Sequence, residues 1–322
     1  MFRGRTREHG ATEATHGAAH ASAGTSATAD GGVPGAADAA GAVRAVAGVA
    51  VVVMAAGLMV GCASEPPKGE NSRDAAASPS ATAPARRPQG PPGALPREGE
   101  VGRIAQPGPL PPVISSIPTK RKVVFLTIDD GWEQDPGFVK QVRDGRIPIT
   151  VFAMRDAVEA KGTPDPAGGP GRYVGAGKWG YFRSLKDAGA PVENHTLTHP
   201  NLRLLGYDAQ RREICGSSQV IKKELGVRPT LFRPPFGNYN TDTLRAAKSC
   251  GLTSVLLWTA TVQPGGKIAY QVPDKKLRPG DILLLHFRPN LSRDFRVLVN
   301  KIKRRGFELG NLQAYLDAAT AR

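Results

Sequence analysis

The stretch Val123-Val-Phe-Leu-Thr-Ile-Asp-Asp-Gly131 limits what this chain can fold into more than any other. Its apolar residues, interrupted only by Thr127, read as a strand buried on both faces. Asp129 and Asp130 then fall at the C-terminal end of that strand, where α/β folds place their chemistry. Gly131 permits a bend that brings both carboxylates to one rim. An Asp-Asp-Gly taken alone is also an ordinary turn with a helix cap, so its meaning depends on what else falls at strand ends.

The rest of the C-terminal part alternates strands and helices. Helices are expected over Pro136 to Asp144, Trp179 to Ala188, Tyr207 to Leu225, Thr241 to Cys250, Arg293 to Arg305 and from Leu312 onward. Strands are expected over 147–152, 191–195, 230–232, 253–258, 281–286 and 307–309. This order implies an α/β fold with a parallel sheet and right-handed crossovers, closed or nearly closed. A Gly/Pro-rich insertion at 162–177 makes a long loop of the kind that often carries function.

The first 117 residues have a different character. They consist largely of Ala, Gly, Pro, Ser and Thr and cannot bury enough apolar surface to offset their ordering entropy. Within them, residues 43–61 form a short block of small apolar residues that ends at Cys62. The block resembles a bacterial lipoprotein signal, which would make Cys62 the lipidated residue. A signal normally starts close to its basic end, so the true start is expected near Val43, with residues 1–42 a leader from a mis-assigned start, and 62–117 is a Pro/Ala-rich tether. The domain proper is expected over 118–322. Such a protein would be exported and held at the outer face of the cell membrane by its lipid.

Charge is concentrated in that domain. Of the net +15, residues 1–61 contribute none and 62–117 contribute one, with six basic and five acidic residues. A basic exported domain points to wall phosphate polymers or lipid headgroups as partners rather than nucleic acid. With Cys62 assigned to lipid, Cys215 and Cys250 remain as a pair that could form a disulfide.

The polar residues that carry chemistry all lie at expected strand ends. His195 and His199 are four apart; on a helical turn they would share a face and grip one divalent metal. Asp130, or its neighbour Asp129, is the obvious third ligand, and a His₂Asp set leaves positions open for reaction. In Arg233-Pro-Pro-Phe-Gly237 the arginine could pair with a carboxylate, while the rigid prolines aim the N–H of Phe236 or Gly237 as an oxyanion donor. Leu284-Leu-His286 ends a further strand on a single histidine, and Trp258 sits on an apolar run. Trp132, Trp179 and Tyr181 could stack on sugars or fill the core.

Thr127-Ile-Asp-Asp-Gly131, His195-Thr-Leu-Thr-His199-Pro200, Arg233-Pro-Pro-Phe-Gly237 and Leu284-Leu-His286 together resemble, in order, the motifs of the polysaccharide deacetylase family with the NodB-type domain. The resemblance covers roughly residues 120–320 and implies a deformed (β/α)7-type barrel with one divalent metal, most often zinc, with cobalt or nickel as alternatives. It implies removal of acetyl groups from carbohydrate polymers by a monomer, classed among hydrolases of carbon–nitrogen bonds other than peptide bonds. On that pattern Asp129 is the general base, Arg233 orients it and His286 is the general acid. Asp130, His195 and His199 bind the metal, and Phe236, Trp258 and Leu284 contact substrate. Phe236 replaces the family's usual tyrosine, where the backbone N–H does the work. One departure has chemical weight: Trp258-Thr-Ala-Thr261 lacks the aspartate that helps tune the acid histidine, so His286 should be less basic. Two other readings stand beside this one, a hydrolase of the same fold acting on a non-polysaccharide amide or ester, and a catalytically weak carbohydrate-binding protein.

Overall fold

The computed structural model describes residues 92–105, 108–162 and 171–321. The leader, the signal block, Cys62 and most of the expected tether lie outside these residues. In chain order the elements are β1 (Val113–Ile114), β2 (Val123–Asp130), α1 (Pro136–Asp144), β3 (Thr150–Ala153), α2 (Arg155–Val158), α3 (Lys178–Asp187), β4 (Val192–Asn194), α4 (Tyr207–Leu225) and β5 (Leu231–Phe232). They continue with α5 (Thr241–Ser249), β6 (Ser254–Leu256), β7 (Ala260–Gln263), β8 (Lys267–Tyr270), β9 (Ile282–His286), α6 (Leu291–Arg304), β10 (Glu308–Leu309) and α7 (Leu312–Thr320).

The strands form one curled sheet in the order β1-β6-β5-β4-β3-β2-β9-β7-β8, with β10 pairing β2. Every pairing is parallel except the β7–β8 hairpin. Among the described residues β1 and β8 end the path without pairing each other, so the sheet is curled but not hydrogen-bonded into a closed ring. The architecture is the deformed (β/α)7-type barrel, opened into a half-barrel.

β2 lies near the middle of the sheet, and all of its residues except Asp130 are buried, as the continuous apolar run requires. Its neighbours β3 and β9 are equally buried, and helices cover the outer face through Phe138, Phe182, Ile221, Phe295 and Leu298. α1 begins where Asp135 accepts the Gly137 N–H and Pro136 fixes the first turn. α4 stops at Gly226 in the left-handed region.

Two sequence expectations are corrected here. Residues 92–105 and 108–117 are not a free tether, since β1 pairs β6 and Ile114 and Ile117 are buried in the core. Arg121 helps hold this segment, donating to Leu95 O and the Glu308 carboxylate. Residues 260–270, where the sequence pattern predicts no element, form the β7–β8 hairpin.

Cys215 and Cys250 form a disulfide that ties α4 to the end of α5 across 35 residues of chain. Closing a loop of that length in the unfolded chain is worth about 4 kcal/mol. A Cys215→Ala/Cys250→Ala variant should lose stability on that scale in urea unfolding.

Candidate active site

The C-terminal edge of the sheet gathers the polar residues of the separated motifs into a cavity of about 650 Å³. Its lining includes Asp129, Asp130, His195, His199, Trp258 and His286. Asp129 and His286 are register partners on the adjacent strands β2 and β9, which fixes them side by side.

The bend after β2 starts one residue earlier than the sequence suggests. Asp130 itself adopts φ 81°, and Gly131 follows at φ 133°. A Cβ at Gly131 would lie 2.7 Å from the Phe182 ring, so only glycine fits that corner. Together these torsions turn the Asp130 carboxylate out of the strand and toward the histidines.

His195 and His199 do not sit on a helical turn. They flank an irregular loop in which Thr196 and His199 take φ 70° and 61°. Side chains hold that shape: Asn194 Oδ1 accepts the Thr196 N–H, Thr196 Oγ1 accepts the His199 N–H, and Glu213 on α4 accepts the N–H groups of Leu197 and Thr198. Backbone strain of this kind persists only where the surroundings over-determine it.

Among the described residues, Asp130, His195 and His199 each offer one ligand atom within 4.8 Å of the others. Asp130 Oδ1 lies 3.6 Å from His195 Nε2 and 3.7 Å from His199 Nε2. Donors about 2.1 Å from one zinc ion lie roughly 3.4 Å apart at tetrahedral angles. The set therefore fits a divalent metal in both donor chemistry and spacing. His195 Nδ1 lies 2.7 Å from the Arg233 carbonyl, which can only accept, so the proton resides on Nδ1 and Nε2 is left bare. Burial pushes His195 down to about 3, keeping it neutral as a ligand must be.

Arg233 is fully buried, with its guanidinium over the Phe152 ring at 4.3 Å and the Trp258 ring at 5.6 Å. It donates to Asp129 Oδ1 and Thr127 Oγ1, both at 2.8 Å, and to the carbonyls of Leu256 and Leu257. Thr127, the single polar residue inside the β2 run, thus serves this network and also donates to Leu283 O. Burial raises the Asp129 carboxyl above the usual carboxylate range, and the Arg233 guanidinium offsets part of that rise.

The remaining expected residues divide between cavity and core. Leu284 and Trp258 line the cavity. The Phe236 ring is 63% exposed and packs on His199 at 4.6 Å, with Phe236 at φ 60°. Gly237 N–H is committed to Pro234 O, which removes it from the two expected oxyanion donors. Trp132 reaches the cavity, whereas Trp179 and Tyr181 are buried in the core.

His286 departs most from the motif pattern. Burial pushes it down to about 4 despite the nearby Asp129 charge, and Arg288 adds to the lowering. Arg288 donates to His286 Nδ1 at 3.0 Å. Glu213 and Arg288 were missed by the sequence reading, since neither lies in a motif.

Residues 116–255 match the polysaccharide deacetylase family model. An uncharacterized protein of Streptomyces coelicolor is 40% identical over 211 residues, which cover 64% of this chain and 78% of that protein. The peptidoglycan-N-acetylmuramic acid deacetylase PdaA of Bacillus subtilis is 28% identical over 185 residues, 55% of this chain and 63% of that enzyme. In three dimensions a family 4 carbohydrate esterase pseudoenzyme from Bacillus anthracis superimposes with a TM-score of 0.53 at 22% identity, covering 64% of this chain and 69% of that one. Motif order, fold and sequence similarity agree: the chain belongs to the polysaccharide deacetylase family.

Proposed function

We propose that this chain is a metal-dependent hydrolase that removes acetyl groups from a polysaccharide. The observation that carries the reading is the convergence of Asp130, His195 and His199 beside an Asp129 clamped by Arg233, with His286 in register across the cavity. The deacetylase named among the relatives supports the same substrate class.

Each residue then has one task. Asp129 takes a proton from the attacking water, and Arg233 fixes the carboxylate oxygen it does not use. The Phe236 N–H donates to the oxyanion that develops on the acyl oxygen. His286 donates from Nε2 toward the leaving group. A divalent ion held by Asp130, His195 and His199, zinc in the family pattern, would supply a more acidic water and positive charge for the oxyanion. Phe236 and Trp258 offer aromatic surface to a sugar ring, and Leu284 lines the same cavity.

In this reading the chain is exported and anchored through lipid on Cys62. The Cys215–Cys250 disulfide supports an oxidising compartment. Acetate release from acetylated chito-oligomers and peptidoglycan, with and without chelator, tests the activity. Release that stops with chelator and returns with zinc is expected; release insensitive to chelator would contradict the metal role.

A further inference from the structure

His286 must serve whatever group leaves the acyl carbon, yet the residue touching its far nitrogen is a cation. The Arg288 guanidinium has donors only, so His286 Nδ1 accepts, and the neutral ring carries its N–H on Nε2. A second ring proton would have to sit on Nδ1, donor against donor and cation against cation. Among the described residues, the charged and titratable groups near the ring are Asp129 from β2, His195 after β4, Arg233 after β5, Arg288 and Asp294. Of the carboxylates, Asp129 is already paired with Arg233, and Asp294 accepts the Gly265 N–H and an Arg293 N–H. The ring is therefore built as a neutral hydrogen-bond donor.

We infer that the acetyl group this site removes is carried on oxygen, making the chain an O-acetyl esterase of acetylated sugars in preference to an N-deacetylase. Arg288 is the positioning residue that sets this preference. The inference rests on the hydrolase reading above.

The difference lies in the second half of the reaction. Water oxygen bonds to the acyl carbon, Asp129 takes one water proton, and the tetrahedral oxyanion collapses. An amide nitrogen leaves as a neutral amine, so it needs a proton before the C–N bond breaks. An alkoxide can leave with only a hydrogen bond from His286 Nε2–H. Once the C–O bond has broken, it takes the proton Asp129 had removed. The products are acetic acid, which ionises, and a free sugar hydroxyl, and Asp129 returns to carboxylate.

The test compares acetate release from an O-acetylated xylo-oligosaccharide and an N-acetylated chito-oligosaccharide by the zinc-loaded chain, wild type and Arg288→Leu. The ratio of the two rates cancels any loss of folded or metal-loaded protein. Nitrogen NMR of the His286 ring reports the tautomer in the same samples. Wild type should favour the ester by about 10²-fold or more, the scale of a positioned general acid, with Nδ1 unprotonated. Arg288→Leu should cut that ratio by about tenfold or more through a gain on the amide, with Nδ1 now able to protonate. An unchanged ratio in the variant, a protonated Nδ1 in wild type, or an amide cleaved as fast as the ester overturns the inference while leaving a hydrolase. Failure of wild type on both substrates overturns the hydrolase reading itself.

Discussion

Asp129→Asn should lower acetate release by about 10²–10⁴-fold, the usual contribution of a positioned general base. The amide keeps the shape of the carboxylate and can still accept from Arg233, but it cannot take a proton from water. Metal should remain bound, because the proposed ligand atoms come from Asp130, His195 and His199 and none from Asp129. Steady-state rates alongside metal content measured on the same preparation separate the two effects. Turnover within a few-fold of wild type would remove Asp129 from the role of base.

Arg233→Met should be the most damaging single change to the fold. It leaves the buried Asp129 carboxylate without its 2.8 Å partner and removes the donor that serves Thr127 and the carbonyls of Leu256 and Leu257. Removing one member of a buried ion pair costs about 3–5 kcal/mol, chiefly because the other charge stays buried and uncompensated. The double variant Asp129→Asn/Arg233→Met should therefore be less destabilised than the sum of the two single changes. Urea unfolding of the four proteins measures this directly. Additive losses would mean that the pair does not act as a unit.

Much of this was readable from local chemistry. α1 and α4 lie where the sequence puts them, because Asp135-Pro136 and Gly226 mark their ends without help from the rest of the fold. β2 was readable because a buried parallel strand needs no alternation. β1 was not: two residues held by β6, distant in the chain, leave no periodicity to detect. The β7–β8 hairpin left a faint signal in Pro264-Gly-Gly266, a turn between two short alternating runs.

The site shows the same division. Residue types and strand-end positions picked out Asp130, His195 and His199, which the fold brings together, but His195 and His199 do not sit on the expected helical turn. Their convergence depends on left-handed torsions at Thr196 and His199, held by Asn194 and Glu213, and spacing does not encode such torsions. His286 is lowered, but burial is the first cause, and the missing aspartate after Trp258 is not what lowers it. That a guanidinium would contact the ring could not be read, since Arg288 is only one of many basic residues in a strongly basic domain.

X-ray absorption at the zinc edge of the zinc-loaded chain tests the proposed metal centre most directly. One zinc per chain is expected, with a nitrogen and oxygen shell at about 2.0–2.1 Å that includes two imidazoles. His199→Ala should reduce the imidazole count to one. A sulfur shell, or two imidazoles persisting in that variant, would show that Asp130, His195 and His199 do not share an ion.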